Sequence, residues 1–164
     1  MIKFAYLDKL KFDNLSKNIF CILAANMSKI APTGNSYKDD YRSWFCGLKR
    51  ELEREQRKVI LIYSDNELIG FFQYNIDNNN LIMEEIQIRP DWQGKGIFRA
   101  LYGFLISNLP PEIQNVEAYA NKKKEIWRGD QKVRIKADDR YYTLGIPRHW
   151  CSISLKKDGK TRYL

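Results

Sequence analysis

A single histidine, His149, and three widely spaced cysteines, Cys21, Cys46 and Cys151, are all that 164 residues offer to imidazole or thiol chemistry. The cysteines are odd in number and show no paired spacing, which excludes a disulfide framework and a zinc-ligand set. Reduced thiols and no bound metal are expected. One histidine permits a nucleophile–base pair, but no other pattern supports one. Long apolar runs are missing too: the nearest, residues 19–27, is about half the length needed to cross a bilayer. Met1-Ile2-Lys3-Phe4 lacks the basic, apolar, small-residue order of a secretory signal, so the cytoplasm is the expected location. Repeats, low-complexity stretches and linkers are also lacking, and the length suits a single domain over residues 1–164.

What is present is positive charge and a readable order of elements. The net charge of +8 favours an anionic partner. Nucleic acid and a phosphorylated cofactor such as coenzyme A both qualify, but no base-reading motif occurs, so nucleic acid is the weaker candidate. The basic cluster Lys122-Lys123-Lys124 reads as a solvated loop. Residues 1–7 suit a strand. Asp13-Asn14-Leu15-Ser16 suits a helix start, with the helix running to about Met27 before the break at Pro32-Thr33-Gly34-Asn35. A second helix is expected over residues 37–57, with Tyr41, Phe45, Leu48 and Leu52 on one stripe and Trp44 at its edge; such a stripe is usually core. Three strands follow at residues 59–63, 68–74 and 81–89, joined by turns at Ser64-Asp65-Asn66-Glu67 and Asp77-Asn78-Asn79-Asn80, which implies an antiparallel meander. Ile97, Leu101, Phe104, Leu105 and Leu109 share a helical face that Pro110-Pro111 ends. Residues 116–119 and 151–155 are strand-like. The order is that of an α+β domain.

Between the third meander strand and its helix stands Arg89-Pro90-Asp91-Trp92-Gln93-Gly94-Lys95-Gly96-Ile97-Phe98-Arg99. A glycine turn at a helix N-terminus suits an anion, because the first amides lack intrahelical acceptors and the helix dipole is positive there. Glycines let the backbone approach a phosphate closely. The dinucleotide fingerprint would need glycine where Arg99 stands, and a P-loop would need Ser or Thr where Gly96 stands. Gln93-Gly94-Lys95-Gly96, preceded by Ile86-Gln87-Ile88-Arg89-Pro90 and followed by Ile97, Arg99, Ala100 and Leu101, instead resembles the pyrophosphate loop of the GNAT superfamily of acetyl-CoA-dependent N-acetyltransferases. The chain departs from the family at Phe98, where Gly or Ala is usual. Tyr141-Tyr142-Thr143-Leu144-Gly145-Ile146 is similar to the family's Tyr-x-x-Leu-Gly-Phe segment. Asn121 stands where the family often has a cofactor-contacting Asn. The wide spacing between 121 and 141 implies an insertion at about residues 122–130, which carries Trp127.

The resemblance implies a GNAT fold: a mostly antiparallel sheet of six to seven strands, splayed at the cofactor site and flanked by about four helices. It implies acetyl transfer from acetyl-CoA to a primary amine, carried by a small molecule or a peptide. Ile86, Gln87 and Ile88 would pair with the pantetheine arm where a bulge frees backbone groups, and one N–H would polarise the thioester carbonyl. Residues Gln93, Gly94, Lys95, Gly96, Ile97, Phe98 and Arg99 would hold the pyrophosphate, and Asn121 would add a cofactor contact. An amine of pKa about 10 arrives protonated and needs a base, for which Glu84 and Glu85 are candidates. Side chains alternate along a strand, so one of the two faces the cleft. Glu85 shares its face with Gln87, whereas Glu84 shares a face with Ile82, Ile86 and Ile88, which puts Glu85 slightly ahead. Tyr141 would protonate the leaving thiolate. Two alternatives stay open, a non-catalytic acyl-CoA-binding protein of the same fold and a basic nucleic-acid-binding domain. No membrane partner is expected, and a homodimer is left open.

Overall fold

The computed structural model describes residues 1–113, 115–119, 134–135 and 141–145. Asn121, residues 122–130, His149 and the expected strand at 151–155 lie outside them. The described chain divides into two compact units, Met1–Asn75 with Glu85–Lys95, and Ile76–Glu84 with the residues from Gly96 onward.

In the first unit, β1 (Ile2–Tyr6), β2 (Lys58–Ser64) and β3 (Glu67–Asp77) form an antiparallel ladder. The β2–β3 hairpin turns at Asp65, whose φ is 53°, and Asp65 also accepts an ion pair from the Met1 ammonium at 2.8 Å. Val59, Ile60, Leu61 and Ile62 of β2 are all buried, as an unbroken β-branched and leucine run demands. The β2–β3 register shifts between Ile62 and Tyr63, where Ile62 faces Gly70 and Tyr63 faces Leu68. Ile69 is therefore the extra residue of a bulge.

Two helices pack in this unit. Helix α1 (Phe12–Ile30) starts one residue before the expected Asp13 and has no side-chain cap; Asp8 instead caps a 3₁₀ turn over Lys9–Lys11 that leads into it. Its buried residues Phe12, Ser16, Ile19, Phe20, Ile22 and Asn26 recur at helical spacing. Helix α2 (Tyr37–Glu53) is capped by Ser36, which accepts from the Asp39 amide at 3.2 Å. It ends short of the expected Arg57 because Glu55 takes a left-handed φ of 57°. The core joins Phe12, Ile19, Ile22, Leu48, Leu52, Val59, Leu61 and Phe71, each contributing about 1.5–3 kcal/mol of apolar burial.

In the second unit, residues 80–83 of β4 (Asn80–Ile88) pair in parallel with β5 (Asn115–Tyr119). Asn115 Nδ2 donates to Asn80 Oδ1 at 3.0 Å. Strand β5 pairs antiparallel with β7 (Tyr141–Gly145), and β7 with the two-residue β6 (Arg134–Ile135), which no sequence pattern announces. Helix α3 (Ile97–Asn108) buries Ile97, Leu101, Tyr102 and Leu105. Tyr102 takes the place expected for Phe104, which is half-buried. Seven strands, three α-helices and two 3₁₀ turns are present among the described residues. The β1–β2, β2–β3, β5–β7 and β6–β7 ladders are antiparallel, and β4–β5 is parallel.

Candidate functional site

Strand β4 separates the two adjacent glutamates by burial. Glu84 is exposed, Glu85 is half-buried and Gln87 is buried, as alternation along a strand requires. Burial pushes the Glu85 carboxyl above its ordinary value, opposed by a hydrogen bond from Gln87 and the charge of Arg57. Gln87 Nε2 donates to Glu85 Oε1 at 3.1 Å. Gln87 Oε1 in turn accepts from Asn26 Nδ2 at 2.7 Å, and the same Nδ2 reaches the Ile88 carbonyl at 3.0 Å. Asn26, buried in the apolar run of α1, thus fixes Gln87, and Gln87 orients the carboxylate.

Gly70 makes room for this arrangement. A Cβ built there would stand 2.6 Å from the Gln87 carbonyl oxygen and 3.3 Å from the Ile88 Cα. Only glycine lets β3 approach β4 this closely. The adjoining bulged residue, Ile69, accepts from the Arg89 amide through its carbonyl at 2.9 Å.

Glu85 also lines a cavity of about 700 Å³ in the first unit, walled by Phe20, Leu23 and Met27 of α1 and by Tyr37, Asp40 and Trp44 of α2. The volume lies within the roughly 300–1,000 Å³ of small-molecule sites. The stripe of α2 therefore divides. Leu48 and Leu52 are core, while Trp44 packs on Phe20 (5.3 Å between centroids) and Phe12 (5.8 Å) and also lines the cavity. Tyr37 meets Phe20 edge-on at 5.1 Å.

The glycine turn follows β4. Arg89 is locked to Asp91 (2.8 and 3.1 Å) and to Glu67, and a 3₁₀ turn runs over Pro90–Trp92. Gln93, expected to hold cofactor, directs its amide Nε2 to the Ile88 carbonyl at 2.9 Å, bracing the loop on the end of β4. Gly94 has a φ of 76° and a Cβ there would meet nothing within 4 Å. Glycine is required for its conformation, and space is left beside the backbone. Lys95 Nζ lies 4.6 Å from the Trp92 ring centroid, a cation–π contact.

In the second unit Gly96, also at φ 76° and open to a Cβ, is the N-cap of α3 and supplies no side chain to it. The first helical bond runs from the Ala100 amide to the Gly96 carbonyl at 3.2 Å. The amides of Ile97, Phe98 and Arg99 precede it and find no intrahelical carbonyl. The Phe98 ring lies 6.3 Å from that of Tyr102, one turn along the helix, so the bulky side chain at this position packs on the helix flank. Within the second unit, the left-handed Gly96 and the uncapped amides after it are of the kind that suits a phosphate. Ile86 and Ile88 are half-buried on β4. The backbone of Tyr141 pairs with Tyr119. Among the described residues no three His, Cys, Asp or Glu side chains gather to hold a metal, and no helix is long and apolar enough to cross a membrane.

A model of the acetyltransferase (GNAT) family matches residues 21–123, more than half of the sequence, and the chain belongs to that family. It is an acetyltransferase with the mixed α/β GNAT fold. Similar solved structures include an acetyltransferase from Thermus thermophilus, at TM-score 0.64 and 15% identity over 88% of this chain and 97% of that one. The PaiA N-acetyltransferase from Thermoplasma acidophilum, in complex with coenzyme A, matches at TM-score 0.62 and 15% identity over 87% and 97%. The Salmonella typhimurium enzyme that modifies the N-terminal serine of ribosomal protein L7/L12 matches at TM-score 0.57 and 13% identity over 88% and 92%. At such identities the likeness is one of fold. No curated protein matches the sequence.

Asn26, Gly70 and the cavity residue Asp40 escaped the sequence reading. A glycine inside a strand-like run signals close backbone approach, and an asparagine inside residues 19–27 signals a buried polar partner. Asp40 carries no such mark.

Proposed function

We propose that this chain transfers an acetyl group from acetyl-CoA to a primary amine, with Glu85 as the base that frees the amine. The observation that carries this reading is Glu85 itself, a half-buried carboxylate on a cavity wall, held by Gln87 and Asn26 and pushed toward the protonated form by burial. A base poised above the ordinary carboxylate range is better matched to an ammonium proton.

Acetyl-CoA brings the activated acyl group. The amides at Gly94, Gly96, Ile97, Phe98 and Arg99 would bind its pyrophosphate at the positive end of α3, with Lys95 or Arg99 adding charge and Gln93 holding the turn in shape. The backbone of Ile86, Gln87 and Ile88 would align the pantetheine arm, with one N–H directed to the thioester oxygen. Asn121 would contact the cofactor further along. Glu85 would take the ammonium proton, and Tyr141 would donate one to the departing thiolate. Glu84, exposed on the other face of β4, has no part in this reading. Residues 1–164 act as one catalytic domain in the cytoplasm, with a small-molecule or peptide amine as acceptor.

The test is Glu85→Gln. Thiol release with a saturating amine should fall by about 10²–10⁴-fold near neutral pH, and the deficit should shrink at alkaline pH where free amine is abundant. The acid limb of the wild-type profile should stand above the ordinary carboxylate value of about 4.3. Stability supplies a second reading. A carboxyl whose folded pKa is raised stabilises the fold below its unfolded pKa and loses that contribution as pH rises through the folded value. The Tm of Glu85→Gln should therefore gain on wild type from about pH 4 upward and level off above the Glu85 pKa. Full activity at every pH would eliminate Glu85 as base.

A further inference from the structure

We propose that the cavity beside Glu85 takes a small amine with an aryl or alkyl body and no carboxylate, an assignment of acceptor class that rests on the acetyl-transfer reading. Two observations carry it, the sign of the cavity's charge and the chemistry of its wall.

The chain as a whole carries a net charge of +8, yet among the described residues no lysine or arginine lines the cavity. Its charge-bearing residues are Asp40 and Glu85. Asp40 accepts from Thr33 Oγ1 at 2.5 Å through one oxygen and from Asn35 Nδ2 at 3.0 Å through the other. These bonds favour its anionic form and tie the loop between α1 and α2 to the cavity rim. A carboxylate entering here would meet like charge with no cation on the cavity wall to receive it, the nearby Arg57 charge being already opposed by Glu85 and by its ion pair with Glu51. An ammonium would meet two carboxylates.

The wall is apolar where a substrate body would lie. Phe20, Leu23, Ala24 and Met27 present one face of α1, and Tyr37 and Trp44 face them from α2. Aromatic rings gain from contact with an aryl group and from cation–π attraction to an ammonium. A polyamine has no apolar body to lie on this wall, and an aminoglycoside covered in hydroxyls would set more polar groups against it than Ser28, Thr33, Asn35 and Ser43 can partner.

2-Phenylethylamine, phenylalanine and spermidine separate these features. The first two differ by the carboxylate alone, and the third has the cations without the apolar body. Binding to the unmodified protein is measured by calorimetry without acetyl-CoA, and turnover by thiol release with it. 2-Phenylethylamine should exceed both others at least tenfold in affinity and in kcat/KM. Asp40→Asn should narrow the gap to phenylalanine several-fold. Phenylalanine or spermidine equalling 2-phenylethylamine in affinity would overturn the cavity assignment. So would an unchanged gap in an Asp40→Asn protein whose melting curve shows it folded. The expected order of binding with no thiol release from any amine would uphold the cavity assignment and overturn acetyl transfer instead.

Discussion

The cavity and the glycine loop are built on opposite plans. The loop presents backbone amides and basic side chains, and at Gly94 and Gly96 it leaves open space beside the chain. The cavity presents side chains from two helices and a strand, apolar with two carboxylates. In our proposal the first takes the anionic cofactor and the second a cationic amine. The contrast teaches that a backbone site needs few residue types at fixed spacing, whereas a side-chain site can be assembled from positions far apart.

Gly96→Glu should break the contrast most sharply. Acetyl-CoA at 100 times its Kd should stabilise wild type by about 2.7 kcal/mol, and the variant should show no thermal shift, because its carboxylate repels the phosphates. Leaving a left-handed glycine also costs about 1–2 kcal/mol, so the shift on adding acetyl-CoA is the quantity to read. Calorimetric binding of 2-phenylethylamine should persist. A retained acetyl-CoA shift would remove the loop from the cofactor site.

Asn26→Ala acts on the cavity side with a smaller effect. It strips a donor from buried Gln87 and from the Ile88 carbonyl, at a cost of about 1–3 kcal/mol in chemical denaturation. Gln87 then holds Glu85 less firmly. Since that hydrogen bond lowers the Glu85 pKa, the acid limb of the activity profile should move to higher pH. A loss of stability with an unmoved acid limb would make Asn26 structural only.

Glu84→Gln should do least. Glu84 is exposed, a surface substitution is usually worth about ±0.5 kcal/mol, and kcat should stay within about twofold of wild type. A large fall in kcat would mean that the two faces of β4 had been exchanged.

The loop was legible in sequence because its constraints fall on neighbouring residues, two glycines two apart after a strand ending in proline. The slight preference for Glu85 over Glu84 came from alternation and the face it shares with Gln87; Glu85 is the more buried of the two, and its role as base belongs to the proposal. The cavity was not legible: Phe20, Trp44 and Glu85 come together only through packing, and an aromatic stripe reads as core whether or not one edge lines a hollow. The end of α2 was overestimated because charged residues 54–57 carry no stop signal, and the left-handed turn at Glu55 is set by the chain's entry into β2. The single start residue missed in α1 reflects Asp8 capping the turn before it.

Gly70 gives this enzyme an unusual exposure to mutational drift. The residue has no functional group, yet a single added methyl would meet the backbone of the strand that bears Gln87 and Glu85. Backbone cannot rotate out of the way as a side-chain tip can. The smallest replacement available to a glycine codon would thus be transmitted to Glu85, the base of our proposal, and selection on catalysis would then act on a position that chemical reasoning about side chains passes over.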